Sequence, residues 1–304
     1  MGNRFAEEAN VDVGRDGAAE RTRRRRRLTA EQVRKKMLNA AHDIVVETGI
    51  TLSLEDVSLE DVMRRADVPR SSVYRIWPYK GDFVDDLLCH MAGPDWYGTA
   101  TFDPTSIALA EEIVTSNTYR LATDEGRWQV IRETVRQAVA TNFANIVASA
   151  EWQIYLAIVT TARTTRNPHL RARIAEAPNA SETRFVSNMV GFYTRMADLV
   201  GIRLKDGIQF EHLTLAGSSI LEGLAYRAII GELISNRARP AGSAVGPDIF
   251  GLIHDPLDGP GLDNETAAWS FAATAYLAVL EGFVELDPGY RMAAPNRETH
   301  GADR

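Results

Sequence analysis

Apolar positions recur with a helical period along nearly the whole chain. In "LTAEQVRKKMLNAAHDIVVETG", Val33, Met37, Ala40, Ala41 and Ile44 share one face. Thr29 with Gln32 three residues on has the spacing of a capping box, and Gly49 supplies a stop, so a first helix is expected between them. The pentapeptide SLEDV then occurs twice in tandem, at Ser53–Val57 and Ser58–Val62. Only the second copy continues an apolar stripe, through Leu59, Val62, Met63 and Ala66, so Ser58 is expected to cap a second helix. The first copy reads as an extended loop, or as a helical turn in a shifted register. Asp67–Pro69 interrupts the pattern, and Pro69 suits the first turn of a third helix, where its missing N–H is no loss. Val73, Ile76 and Trp77 give that helix an inward face. Pro78 stops it, and a fourth helix is expected from about Lys80 to Met91 over Phe83, Leu87 and Met91.

Downstream the pattern stays helical, with helices expected at roughly 104–122, 124–148, 150–164, 167–177, 180–200, 207–236 and 265–285. One long interruption, residues 237–264, is dense in Pro and Gly and is expected to be a mobile loop. Residues 1–20 are polar and read as a disordered tail, and 286–304 as a second tail. The expected class is all-α.

Charge changes the picture. The 304 residues carry a formal charge of −7, which argues against a general nucleic-acid binder. The distribution is uneven: residues 21–80 sum to +6 and residues 81–304 to −10. A basic block beside a larger acidic body suggests that one part of the molecule meets a polyanion. The run RTRRRRR (Arg21–Arg27) precedes the first helix. Arg26 and Arg27 are placed where basic arms follow a minor groove or the adjacent phosphates.

Other chemistry finds little support. The single cysteine, Cys89, excludes an intrachain disulfide and a cysteine-based zinc site, and reads as packing near the end of the fourth helix. The six histidines form no i,i+4 pair, and there is no HExxH, P-loop, GxGxxG or GxSxG motif. No metal, cofactor or enzymatic activity is expected. No run approaches the ~18 uninterrupted apolar residues of a membrane span, and no leader-like apolar run opens the chain. A cytoplasmic setting without a membrane partner is the expectation.

The stretch "ADVPRSSVYRIWPYK" (Ala66–Lys80) joins pattern and charge. With Val73, Ile76 and Trp77 turned inward, Arg70, Ser71, Ser72, Tyr74 and Arg75 face out. Two short helices around a tight turn can place the second in a major groove. Arg70, Ser71 and Ser72 then lie in its opening turn, where side chains meet base edges. Tyr74 and Arg75 can reach phosphate oxygens, and Lys80 opens the next helix, whose unbonded N–H groups and dipole favour an anion.

Extended to "ADVPRSSVYRIWPYKGDFV", the stretch resembles the DNA-binding core of the TetR family of bacterial transcriptional regulators. That core runs approximately A-G-V-S-x-x-T-hydrophobic-Y-x-hydrophobic-F-x-x-K-x-x-L. Ala66, Val68, Tyr74, Trp77 (for the aromatic) and Lys80 fall on it without gaps, and the resemblance covers about residues 29–91. Asp67 replaces the usual turn glycine, Met63 a small residue, and Pro69 the usual N-cap serine.

The resemblance implies a three-helix helix-turn-helix DNA-binding domain over 21–92, with its basic arm, and a helical ligand-binding and dimerisation domain over 93–285. It implies a homodimer on palindromic operator DNA, released by a small apolar or amphipathic effector. The last two helices would form a four-helix dimer interface through the stripes Leu213, Gly217, Ile220, Leu224 and Trp269, Ala273, Tyr276, Leu280. The effector cavity would lie among the middle helices, with Trp152, Gln153, Tyr155, Phe143 and Trp128 as the candidate lining. Two alternatives stand beside this repressor. One is a regulator of the same fold that activates or answers a protein partner. The other is a helical small-molecule-binding protein or enzyme whose basic segment is incidental.

Overall fold

A computed structural model describes residues 28–49, 57–93, 103–164, 168–235 and 251–291 of the chain. The first four helices follow the sequence signals closely. α1 is Ala30–Thr48, where the Thr29 hydroxyl accepts from Gln32 N–H and the Gln32 side chain accepts from Thr29 N–H. It stops at Gly49, whose φ of 76° suits a residue without a Cβ. α2 (Leu59–Ala66) is capped by Ser58, α3 is Arg70–Ile76, and α4 is Lys80–Met91. Val33, Met37, Val62, Val73, Trp77, Phe83 and Leu87 form the centre of a first core. This core is completed from outside the N-terminal helices, by Ile154, Ile158 and Ile174.

The second body starts at α5 (Pro104–Ser116), capped by Asp103, and a 3₁₀ turn at Thr118–Ala122. α6 (Asp124–Thr134) continues through a π-helical turn, Val135–Val139, into α7 (Ala140–Ala148). α8 is Ala150–Thr164, and α9 (Pro168–Val200) is the long helix that reaches both cores. Then come β1 (Ile202–Leu204), α10 (Phe210–Ser235), α11 (Gly251–His254), β2 (Leu257–Pro260), β3 (Thr266–Trp269), α12 (Phe271–Phe283) and β4 (Val284–Leu286). The chain is mostly helical, consistent with an all-α class, with two antiparallel strand pairs added to it. β1 pairs with β4 in the register Ile202↔Leu286, and β2 pairs with β3 in the register Leu257↔Trp269.

Four expectations are corrected. The helices placed at 167–177 and 180–200 are one, running through Pro178. Proline removes an N–H and disfavours a helix interior, yet tertiary packing can outweigh local propensity. Here Ile174 is buried in the first core before the proline, and Phe185 is buried after it. The Ser181 hydroxyl also donates to the Ala92 carbonyl at 3.3 Å. Second, the part of the expected mobile loop that is described, 251–264, holds α11, β2 and the turn to β3. Third, the helix expected from 265 begins only at Phe271, because Thr266–Trp269 pair as β3. Fourth, the C-terminal tail is anchored as far as Tyr290. Buried Arg127 donates to the Gly201 carbonyl at 2.7 Å and the Asp287 carbonyl at 3.2 Å. Its guanidinium lies 5.1 Å over the Tyr290 ring, whose hydroxyl donates to the Leu199 carbonyl at 2.7 Å. Residues 1–27 lie outside the described residues, so the N-terminal tail and the basic arm with Arg26 and Arg27 receive no structural account.

Candidate nucleic-acid interface

The turn between α2 and α3 is built around Asp67, which adopts the left-handed conformation (φ 49°, ψ 52°) that its short polar side chain tolerates. Its N–H closes the end of α2 on the Arg64 carbonyl, and Val68 N–H bonds the Met63 carbonyl. Pro69 is the N-cap of α3, one position earlier than the first helical turn expected for it. Its carbonyl accepts from Ser72 N–H at 2.9 Å. α3 is therefore held by backbone bonds at its start and by buried Val73 and Trp77 behind.

The opposite face is polar and accessible. Arg70, Ser71, Tyr74 and Arg75 are exposed, while Ser72 is half-buried and Ile76 only partly covered. The Arg70 guanidinium lies 5.3 Å over the Tyr74 ring and 3.3 Å from the Glu60 carboxylate. Both partners of that ion pair are exposed, so it contributes little and is easily exchanged for a stronger anion. Lys80, also exposed, begins α4. Beside it is Tyr79, 75% exposed, a residue the sequence pattern passes over. Its only signal is position: Pro78 ends the α3 segment, so residue 79 becomes the N-cap of α4 and its ring is left outside the core. The Asp82 carboxylate accepts from Tyr79 N–H at 3.3 Å, which fixes this corner.

A polar hub centred on the partly buried Asp86 carboxylate sets the orientation of α3. Trp77 Nε1 donates to Asp86 Oδ2 at 2.7 Å, and its ring meets Phe83 edge-on at 5.1 Å. Asp86 also binds Arg34 of α1, whose guanidinium covers the Trp77 ring at 5.4 Å. On its other oxygen Asp86 accepts from Arg173 Nη2 at 2.5 Å. Arg173 belongs to α9, so one carboxylate ties α1, the end of α3, α4 and the long helix of the second body together. None of Arg34, Asp86 and Arg173 is marked by the sequence, since their partners are distant in the chain. Cys89 is half-buried against the first core, and burial pushes its thiol pKa up, away from the reactive thiolate.

In the second body, none of the candidate ligand residues lines its two adjoining chambers, whose walls come mainly from α5, α6, the π-helical turn, α7, α9, α10 and α12. Trp152, Tyr155 and Phe143 are buried in a third core with Ile146 and Leu221. Gln153 is exposed, and its amide donates to the Val147 carbonyl at 3.1 Å. Trp128 is packed beneath the Arg132 guanidinium at 5.7 Å. Aromatic content alone cannot tell a cavity wall from ordinary core.

Much of the two stripes expected at a dimer interface lies inside the single chain. Leu213, Gly217, Trp269, Ala273, Tyr276 and Leu280 are buried within the chain, where α10 packs on α12. Leu224 packs on the third core, and Ile220 is half-buried at the edge of the contact. The outward face of α10 carries Leu215 (51% exposed), Ser219 and Tyr226 (52% exposed), and α12 presents Phe271 and Ala278. Within α10, Phe210–Glu232 is long and apolar enough to cross a membrane by length and composition, and 33% of its apolar window is buried. Among the described residues, no three His, Cys, Asp or Glu side chains group as a metal ion would need.

Comparison with protein-family models finds no match to this chain, and comparison with curated proteins finds none either.

Proposed function

We propose that the chain is a DNA-binding transcriptional regulator of the TetR type, most simply a repressor. The observation that carries this reading is the outward face of α3. A seven-residue helix is held from behind by Val73 and Trp77 and presents Arg70, Ser71, Tyr74 and Arg75 to solvent, next to Tyr79 and Lys80 at the start of α4. Arg70 and Ser71 sit in the opening turn and are the base readers; half-buried Ser72 has less reach. Tyr74, Arg75 and Lys80 are the phosphate contacts, with the arm residues Arg26 and Arg27 adding attraction. The basic segment resides in the same part of the chain, which is the charge distribution a local DNA contact needs.

The test is binding to the DNA that flanks its own coding region, measured against random duplex by fluorescence anisotropy. Lys80→Ala is expected to weaken binding about equally on specific and random DNA. It should also flatten the log–log salt dependence by about one unit for each phosphate neutralisation removed from a half-site. Arg70→Ala is expected to cost roughly 1–3 kcal/mol at particular symmetric positions only. If no duplex is bound better than random sequence, the regulator reading falls. The adjoining chambers would then favour the second reading, a helical protein that binds a small molecule.

One such helix reads few base pairs, so a two-fold dimer on a palindrome accompanies the proposal. Because the inner faces of α10 and α12 are occupied, the dimer uses their outward faces, around Leu215, Ser219, Tyr226 and Phe271. Leu215→Glu combined with Tyr226→Glu is expected to yield a folded monomer by light scattering. An unchanged dimer with both charges in place would move the interface elsewhere.

A further inference from the structure

The second body departs from close packing in two adjoining chambers of about 90 and 110 Å³. They share Ala138, Val139, Phe192, Tyr193 and Tyr276 as a common wall. Ala138 and Val139 belong to the π-helical turn, a feature that proteins often place at functional sites. Gly217 seats the wall: a Cβ there would lie 2.5 Å from Tyr276 Cε2.

The larger chamber is apolar, bounded by Ala110, Val114, Ile131, Val135, Met196 and Leu280. Thr134 also lines it, but its hydroxyl is spent on the Val130 carbonyl at 2.8 Å. The smaller chamber adds polar groups: Asp103, Ser106, Asn142, Thr214 and Ser218. Among the described residues, no Lys, Arg or His lines either chamber. Burial raises the Asp103 pKa. Bonds from the Ser106 hydroxyl, the Asn145 amide and the N–H groups of Ser106 and Thr105 together outweigh that, leaving it below the ordinary value. An anionic occupant would meet this ionised carboxylate and no counter-charge from those walls.

The tyrosine pair supplies the specific contact. The two hydroxyl oxygens are 2.7 Å apart. Two hydroxyls carry two hydrogens, and their mutual bond uses one. The other has no acceptor among the described residues, and a buried donor without an acceptor is costly. Burial raises both phenol pKa values, that of Tyr276 to about 12 and that of Tyr193 well above the usual value, so both stay protonated donors around neutrality. Each chamber is smaller than the ~150 Å³ apolar cavity that holds a benzene molecule. Because the two share a wall, an occupant larger than a few carbons can extend from one chamber into the other.

We infer that the two chambers are one site for an elongated, uncharged molecule with a neutral acceptor oxygen, such as a ketone, ester or alcohol. That oxygen meets the Tyr193–Tyr276 pair, and its apolar chain fills the larger chamber. Naming this molecule as the effector rests on the regulator reading; its binding does not.

The test is calorimetry on the full chain without DNA, using 2-nonanone, nonanoate and the isosteric alkene 2-methyl-1-nonene. The ketone is expected to bind at least tenfold more tightly than the carboxylate at pH 7. Its advantage over the alkene, about tenfold, should be lost in the double variant Tyr193→Phe/Tyr276→Phe, which keeps both rings and removes both hydroxyl hydrogens. Affinity should also rise along the 2-alkanones from pentanone to nonanone. Carboxylate binding as tight as the ketone's, an unchanged ketone-to-alkene ratio in the double variant, or affinity flat beyond pentanone would each overturn the inference. If the ketone binds as expected yet leaves DNA affinity unchanged, the regulator reading loses this molecule as its effector and the site stands.

Discussion

Replacing Trp77 with alanine should destabilise the N-terminal helices by about 3–5 kcal/mol, as truncation of large buried aromatics does, and, on the proposed regulator reading, abolish binding to DNA. Trp77 is 1% exposed and closes α3 from behind. The substitution removes the ring from the first core, the edge-on packing with Phe83, and the hydrogen bond to Asp86. It also uncovers Arg34, which rests on that ring. Because Asp86 is shared with Arg173 on α9, the effect reaches the joint between the two bodies. Trp77→Phe separates the parts. It keeps most of the apolar packing and removes only a hydrogen bond to a charged acceptor, worth about 1.5–3 kcal/mol. Urea unfolding followed by circular dichroism would measure both. A Trp77→Ala chain with the parent's stability, still binding DNA, would show that α3 does not depend on this anchor.

The second large effect is expected at Asp103. Its carboxylate caps α5 through Thr105 and Ser106 N–H and accepts from Asn145 Nδ2 at 2.8 Å. Asp103→Ala removes the cap, about 0.5–2 kcal/mol, and strands buried donors, about 1–3 kcal/mol more. The sign of the pH dependence follows from the depressed pKa. Asp103 contributes its full stabilisation above the ordinary carboxyl value of 3.8, and that contribution fades as pH falls from there through the lower folded value. Asp103→Asn keeps a capping oxygen but cannot titrate, so its stability should fall less steeply than the parent's below about pH 4. Glu133 acts in the same direction: its bond from Arg136, aided by Gln137, outweighs burial and lowers its pKa. Glu133→Gln therefore serves as the parallel control. Equal acid unfolding curves for the parent and Asp103→Asn would remove Asp103 from the pH response.

The helices that the sequence determines are those whose signals are local. The Thr29–Gln32 capping box, Ser58 as cap, Asp67 in the left-handed turn and the start of α4 at Lys80 each depend on groups within three or four residues. Such signals can be read without knowing which distant part of the chain packs against them. The same holds for most of the outward set on α3, because Val73 and Trp77 fix which side of a short helix faces in; Ser72, expected outward, is half-buried. Tertiary structure decided what local preference leaves open. Pro178 argues for a break, and Ile174 and Phe185, buried on either side of it, carry the helix through. Thr266–Trp269 become a strand because Leu257–Pro260 lie beside them. The stripe containing Leu213, Gly217, Tyr276 and Leu280 is equally apolar whether it meets a second copy or its own chain. Only the packing of α10 on α12, with Tyr276 seated against Gly217, turns it inward and leaves Leu215 and Tyr226 outside. The chambers are decided at the same level. A cavity is space left between helices that are far apart in sequence, and periodicity records which face is apolar, not what that face fails to touch.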